Sequence, residues 1–157
     1  MKYEQQKTVR EFYDEFSKKV NDTVKSLEMV NLEANTETFD ELNLKLTSAG
    51  RELWGLLIFC EHGLYFYVHP WESPMATMFR QAVHGKEPIE QLLAIHLLDS
   101  LKFSLPKHRW YEIVFSSATD KLQMEFKGRN GRNYVALLTS QNRASKVLDK
   151  INSLLSL

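Results

Sequence analysis

The chain has 157 residues, 43% hydrophobic and 25% charged, with 20 basic side chains against 20 acidic ones. This length builds a core without staples, and the composition excludes a disordered chain, because enough apolar surface is present to offset the conformational entropy lost on folding. One cysteine excludes an internal disulfide framework and fits a reduced, cytoplasmic setting, while zero net charge argues against a dedicated nucleic-acid binder.

Residues 3–30 read as one long amphipathic helix. Val9, Phe12, Phe16, Val20, Val24, Leu27 and Val30 recur at three- and four-residue steps, with Thr23 and Met29 as alternates in the stripe. At 1.5 Å per residue that helix is about 42 Å long, more than one small sheet needs. The polar stretch 31–38 follows as a connector. The first residues carry mixed charge and no apolar run of a secretory signal. The longest apolar run, 53–60, is far short of the roughly 20 residues that span a bilayer.

From Phe39 the period changes to two. Leu42, Leu44 and Leu46 alternate with Glu41, Asn43, Lys45 and Thr47, which predicts a half-buried strand. Ala49-Gly50 turns the chain into a strand over 53–60. Glu61-His62-Gly63 turns it again into 64–69, making a hairpin. Ser73-Pro74 and Gly85 bracket a short helix with Met75, Met78, Phe79 and Ala82 on one face. Residues 89–98 fit either a helix or a buried strand. Strands are then predicted over 101–105, 110–115 and 122–127. Gly128-Arg129-Asn130-Gly131 is a hairpin turn, because Asn-Gly tolerates positive φ. After a strand over 132–139, Ser140 caps a last helix whose stripe is Ala144, Val147, Leu148, Ile151, Leu154 and Leu155. The class is α+β: a long helix, three strands, a helical insertion, four strands and a terminal helix.

Two segments carry a family resemblance. Gly55-Leu56-Leu57-Ile58-Phe59 with Gly63-Leu64-Tyr65-Phe66 forms the early hairpin, and 122–155 forms a strand, Gly-rich turn, strand and helix. This order resembles the pleckstrin-homology-like superfold, including GRAM and bacterial PH-like domains. The resemblance implies a seven-stranded antiparallel barrel closed by the C-terminal helix over 39–157, with 1–38 as an N-terminal helix and connector. Phosphoinositide-binding members place several basic residues on the first two strands, where this chain has only Lys45 and Arg51 beside Glu52. The tryptophan that many members carry in the terminal helix is absent. The resemblance therefore does not imply lipid binding, and a shared fold does not by itself assign function.

The residues offer little for catalysis. Histidines 62, 69, 84, 96 and 108 match no zinc spacing, and the Gly128–Gly131 turn lies between strands rather than before a helix, so no phosphate loop is present. Cys60 with His62 has the spacing of a thiol–imidazole pair, but free cysteines are commonly buried and inert. His96 reads as a boundary histidine with one satisfied nitrogen. No enzyme, metal or cofactor is expected.

Surfaces say more. Residues 1–100 hold ten basic and sixteen acidic side chains, a balance of −6, and 101–157 hold ten and four, a balance of +6. Lys127, Arg129 and Arg132 at one hairpin are the candidate anion contact. The strands 53–60 and 64–69 are apolar on both faces, so both faces need cover. The helix stripe needs a partner as well. Phe12, Phe16 and Val20 with Trp54, Tyr65 and Tyr67 are therefore the candidate interaction surface, joined within one chain or across a homodimer. The expectation is a non-catalytic module for association with protein, including copies of itself. The competing expectation is a site for a small molecule or lipid headgroup.

Overall fold

The computed structural model describes residues 2–46, 51–68, 89–106 and 120–155. The first helix, α1 (Lys2–Val20), stops ten residues earlier than the apolar stripe predicts. Asn21 turns left-handed at φ 54°. Asp22 N–H then donates to the Ser17 carbonyl over 3.1 Å, the six-to-one closure that ends many helices. Asparagine tolerates this conformation because its short polar side chain bonds locally. The remaining stripe residues Val24, Leu27 and Val30 belong instead to strand β1 (Val24–Glu33), a correction to the helix expected there. Its two faces explain the ambiguity. Leu27 packs with the cluster on one side of the sheet, and Val30 and Leu32 pack on the other.

The same device recurs after β1. Asn35 Oδ1 accepts the Thr38 N–H at 2.8 Å and caps α2 (Thr36–Glu41). Asn43 turns left-handed at φ 58°, and Leu44 N–H closes onto the Phe39 carbonyl at 3.0 Å. The strand expected from Phe39 to Thr47 is thus overturned over its described part. Phe39, Leu42 and Leu44 are buried, but as a helical turn and its exit.

The remaining elements are β2 (Glu52–Cys60), β3 (Leu64–Val68), β4 (Gln91–Ala94), a single 3-10 turn (Ile95–Leu97), β5 (Asp99–Ser104), β6 (Lys121–Lys127), β7 (Asn133–Ser140) and α3 (Ala144–Leu155). The open choice at 89–98 therefore falls to a strand and a short turn. The helix expected over 73–85 and the strand expected over 110–115 lie outside the described residues. All pairings are antiparallel, in the order β4-β3-β2-β1-β7-β6-β5. Among the described residues the seven strands form one sheet with two ends rather than the closed barrel expected, because β4 and β5 do not pair with each other there. The α+β class holds.

One face of the sheet, here called inner, carries Val30, Leu32, Leu57, Phe66, Leu122, Met124 and Leu138, covered by Phe39 from α2 and Leu42 just after it, and by Ala144, Val147 and Ile151 from α3. The start of α3 is capped differently from the expectation. Ser140 Oγ accepts the Asn142 N–H within the turn, while Asp120, just before β6, accepts the Ala144 N–H at 2.8 Å. Lys150 ties the helix to β1 through Glu28 at 3.2 Å and lies 4.2 Å from the centre of the Phe59 ring. The outer face has a second, smaller core, described next.

Candidate interaction surface

On the outer face, β2 and β3 place Ile58, Cys60, Tyr65 and Tyr67 side by side, with Val24 and Leu27 from β1. The helix α1 lies over them within the same chain. Phe16, buried, meets Tyr65 edge-on with ring centres 5.7 Å apart and Tyr67 at 5.2 Å. Phe12 stacks on both Phe16 and Tyr67 at 5.9 Å, and Val20 packs at the helix end. Such aromatic pairs add to the burial of their area. Lys19 closes the margin, lying 5.2 Å over the Tyr67 ring and ion-paired to Glu90, whose carboxylate holds its ammonium above the usual lysine range. Five of the six residues read as an interaction surface, Phe12, Phe16, Val20, Tyr65 and Tyr67, are therefore brought together and packed on one another.

Trp54 stands apart. It lies on the same face of β2 as Ile58 but is 51% exposed, and Met29, diagonal to it on β1, is 54% exposed. Register places Trp54 opposite Asn31 and Glu52 opposite Glu33, so the four form a square tile on the outer face. Asn31 is only 6% exposed. Its Nδ2 donates to Glu52 at 2.9 Å, and its Oδ1 is buried without a partner. Across the next strand pair, Thr139 lies opposite Asn31, and its Oγ1 is also buried and unpartnered. Glu33 is ion-paired to Lys121 at 3.0 Å. Like charges directly opposed on a sheet face destabilise it, and here one of the two carboxylates has a cation and the other only an amide. The alternation of apolar residues foretold that Trp54 shares a face with Ile58. Pairing of Glu33 with Glu52 was hidden, because it required β1 to be recognised as a strand.

The candidate anion contact is built around a carboxylate. Gly131, at φ 79°, makes the β6–β7 turn. Lys127, Arg129 and Arg132 are exposed around it. Glu41 reaches in from the end of α2, accepting the Arg129 N–H at 2.7 Å and standing 3.8 Å from its guanidinium Nε. A Cβ at Gly128 would lie 2.9 Å from that carboxylate and 2.5 Å from Tyr134, so only glycine allows this approach. The backbone donor that would greet an external anion is thus already occupied.

Cys60 is buried, whereas His62 is exposed in the β2–β3 turn, where its N–H donates to Asp22. Burial, and to a lesser degree the charge of Asp22, pushes the thiol up to about 11, leaving it protonated near neutral pH. His96 is half-buried and its Nδ1 accepts the Leu64 N–H at 3.1 Å. Among the described residues, no group of three His, Cys, Asp or Glu side chains is placed to hold a metal ion, and no helix is long and apolar enough to cross a membrane.

A scan against protein-family models, a search of curated proteins and a search of solved structures each returned no match to this chain.

Proposed function

We propose that this chain is a non-catalytic, PH-like interaction module that associates with protein, including copies of itself, through the outer sheet face beside α1. The observation that carries this reading is the adjacent exposure of Trp54 and Met29, next to the part of that face that α1 covers. Large apolar side chains exposed together on an otherwise well-packed sheet are typical of protein-binding surfaces, and tryptophan is enriched at their centres. The strand order and the C-terminal helix across the inner face support the PH-like reading. Glu41, reaching from the end of α2 to the β6–β7 turn, weighs against the lipid-headgroup alternative.

Sedimentation velocity of the full chain over a wide concentration range tests this, alongside flotation with vesicles rich in phosphatidylserine and phosphoinositide. The expected result is mass that grows with concentration in the wild type, shrinks toward the monomer in a Met29→Ser/Trp54→Ser double variant, and no co-flotation. A strictly monomeric wild type that floats with the vesicles would favour the headgroup reading instead.

A further inference from the structure

We infer that the tile formed by Trp54, Asn31, Glu52 and Glu33 receives an arginine side chain presented by a protein partner. This inference rests on the association reading of the same face and names the chemistry that the partner must bring.

Three independent features of the tile converge on a planar cation with several donors. The first is charge. Glu33 and Glu52 oppose each other on β1 and β2, and Lys121 answers only Glu33, so the tile keeps an excess negative charge beside an exposed indole. A cation placed there relieves the like-charge repulsion that the register imposes. The second is the unpartnered acceptor. Asn31 is buried, its Nδ2 is spent on Glu52, and its Oδ1 has no donor. A buried acceptor without a donor is costly, and native proteins keep few of them. The third is the ring. Trp54 lies directly opposite Asn31 and two residues from Glu52 on the same face, and half of its surface is open. A guanidinium stacks on indole more favourably than on the other aromatic rings, while its edge still carries N–H donors in a fixed fork. A guanidinium on Trp54 has the Glu52 carboxylate two residues along the same face, where that carboxylate already holds the Asn31 amide at 2.9 Å.

Lysine answers this arrangement less well. Its ammonium is a compact, strongly hydrated point charge that gives no planar stack and no fork. An anionic lipid surface is repelled by the two carboxylates. Met29, exposed on the neighbouring row, supplies an adaptable apolar contact for the residue flanking the arginine.

The test uses the full chain and a blocked tripeptide, leucine-arginine-leucine, with citrulline and lysine versions as controls. Citrulline keeps the shape of arginine and loses its charge. The readout is the indole N–H resonance of Trp54, one of three tryptophans, identified by its absence in Trp54→Phe. The expected result is a saturable shift at millimolar peptide for arginine, a weaker one for lysine and none for citrulline. Glu52→Gln, which keeps the shape of the side chain, should weaken the arginine effect about tenfold, and thermal unfolding of that variant shows whether the fold is intact. Absence of a saturable shift, an equal response to citrulline, or an unchanged affinity in a folded Glu52→Gln variant overturns the inference. If the full chain self-associates, the arginine peptide should compete with that association. Self-association that ignores the peptide overturns the arginine assignment while leaving the association reading intact, whereas a chain that binds the peptide but never associates supports the assignment and removes self-association.

Discussion

Ile58 and Trp54 lie on the same strand and the same face, yet Ile58 is fully buried and Trp54 is half open. The difference comes from neither residue. It comes from α1, whose described contacts run from Val20 through Phe16 to Phe12 and cover Cys60, Tyr65, Ile58, Tyr67 and Leu56. One part of the outer face is therefore a second hydrophobic core, and the other carries an exposed indole, two opposed carboxylates and a buried amide oxygen without a partner. Helix-covered residues contribute to folding. On the open part Trp54 and Met29 are half-exposed, so their substitution leaves most of the packing in place.

Substitution of Phe16 breaks this contrast most directly. Phe16→Ala removes the ring at the centre of the helix–sheet contact and should cost about 3–4 kcal/mol in urea unfolding, the usual range for a buried phenylalanine. A cost under about 1 kcal/mol would mean that α1 contributes little cover in solution.

The next effect is a pH dependence confined to the covered part. The Cys60 thiol titrates near 11 in the folded chain and near the ordinary 9 when unfolded. A raised folded value stabilises the fold fully below the unfolded value, and the contribution is lost as pH rises through the folded one. Stability should therefore fall between about pH 9 and 11 by about 2 kcal/mol more in the wild type than in Cys60→Ala. The thiol should also resist alkylation near neutral pH until the chain unfolds, and rapid labelling of the native protein would contradict its burial.

Smaller effects sharpen the boundary. Lys19→Ala removes an exposed ion pair and a cation–ring contact at the helix margin, and should cost about 0.5–1 kcal/mol, less at high salt. Trp54→Ser should cost less than about 1 kcal/mol, well below Phe16→Ala, because the indole is half-exposed and outside the helix contact. A loss as large as that of Phe16→Ala would place Trp54 in the core of the fold and remove the distinction between the two parts.

Much of this was legible in the residues. Leu122, Met124 and Phe126 alternate without interruption, Asn130-Gly131 marks the turn, and the stripe from Ala144 to Leu155 marks the last helix, because each signal is local and unambiguous. Apolar residues on both faces of β2 and β3 also showed that the outside of the hairpin needed a helix. The first strand was hidden because Val24, Leu27 and Val30 satisfy a helical spacing as well as a two-sided strand. Only the left-handed Asn21 separates the two, and an isolated asparagine is a weak stop signal in a sequence. The leucines at 42, 44 and 46 misled for a related reason. A six-residue helix followed by an extended exit buries alternate residues much as a strand does.

The sequence alone determined which side chains are apolar, how they repeat, and hence the α+β class, the two hairpins and the terminal helix, since these depend on interactions a few residues apart. The tertiary structure decided what periodicity does not encode: which part of a doubly apolar face another element covers, and which polar residues meet across strands. Tyr67 and Trp54 have similar sequence surroundings, but one lies under Phe12 and the other does not. Glu33 and Glu52 are nineteen positions apart in the chain and become neighbours only through the β1–β2 register. Coverage and cross-strand pairing are long-range properties of the packed chain, so the tile proposed here for recognition becomes visible only once β1 is in the sheet.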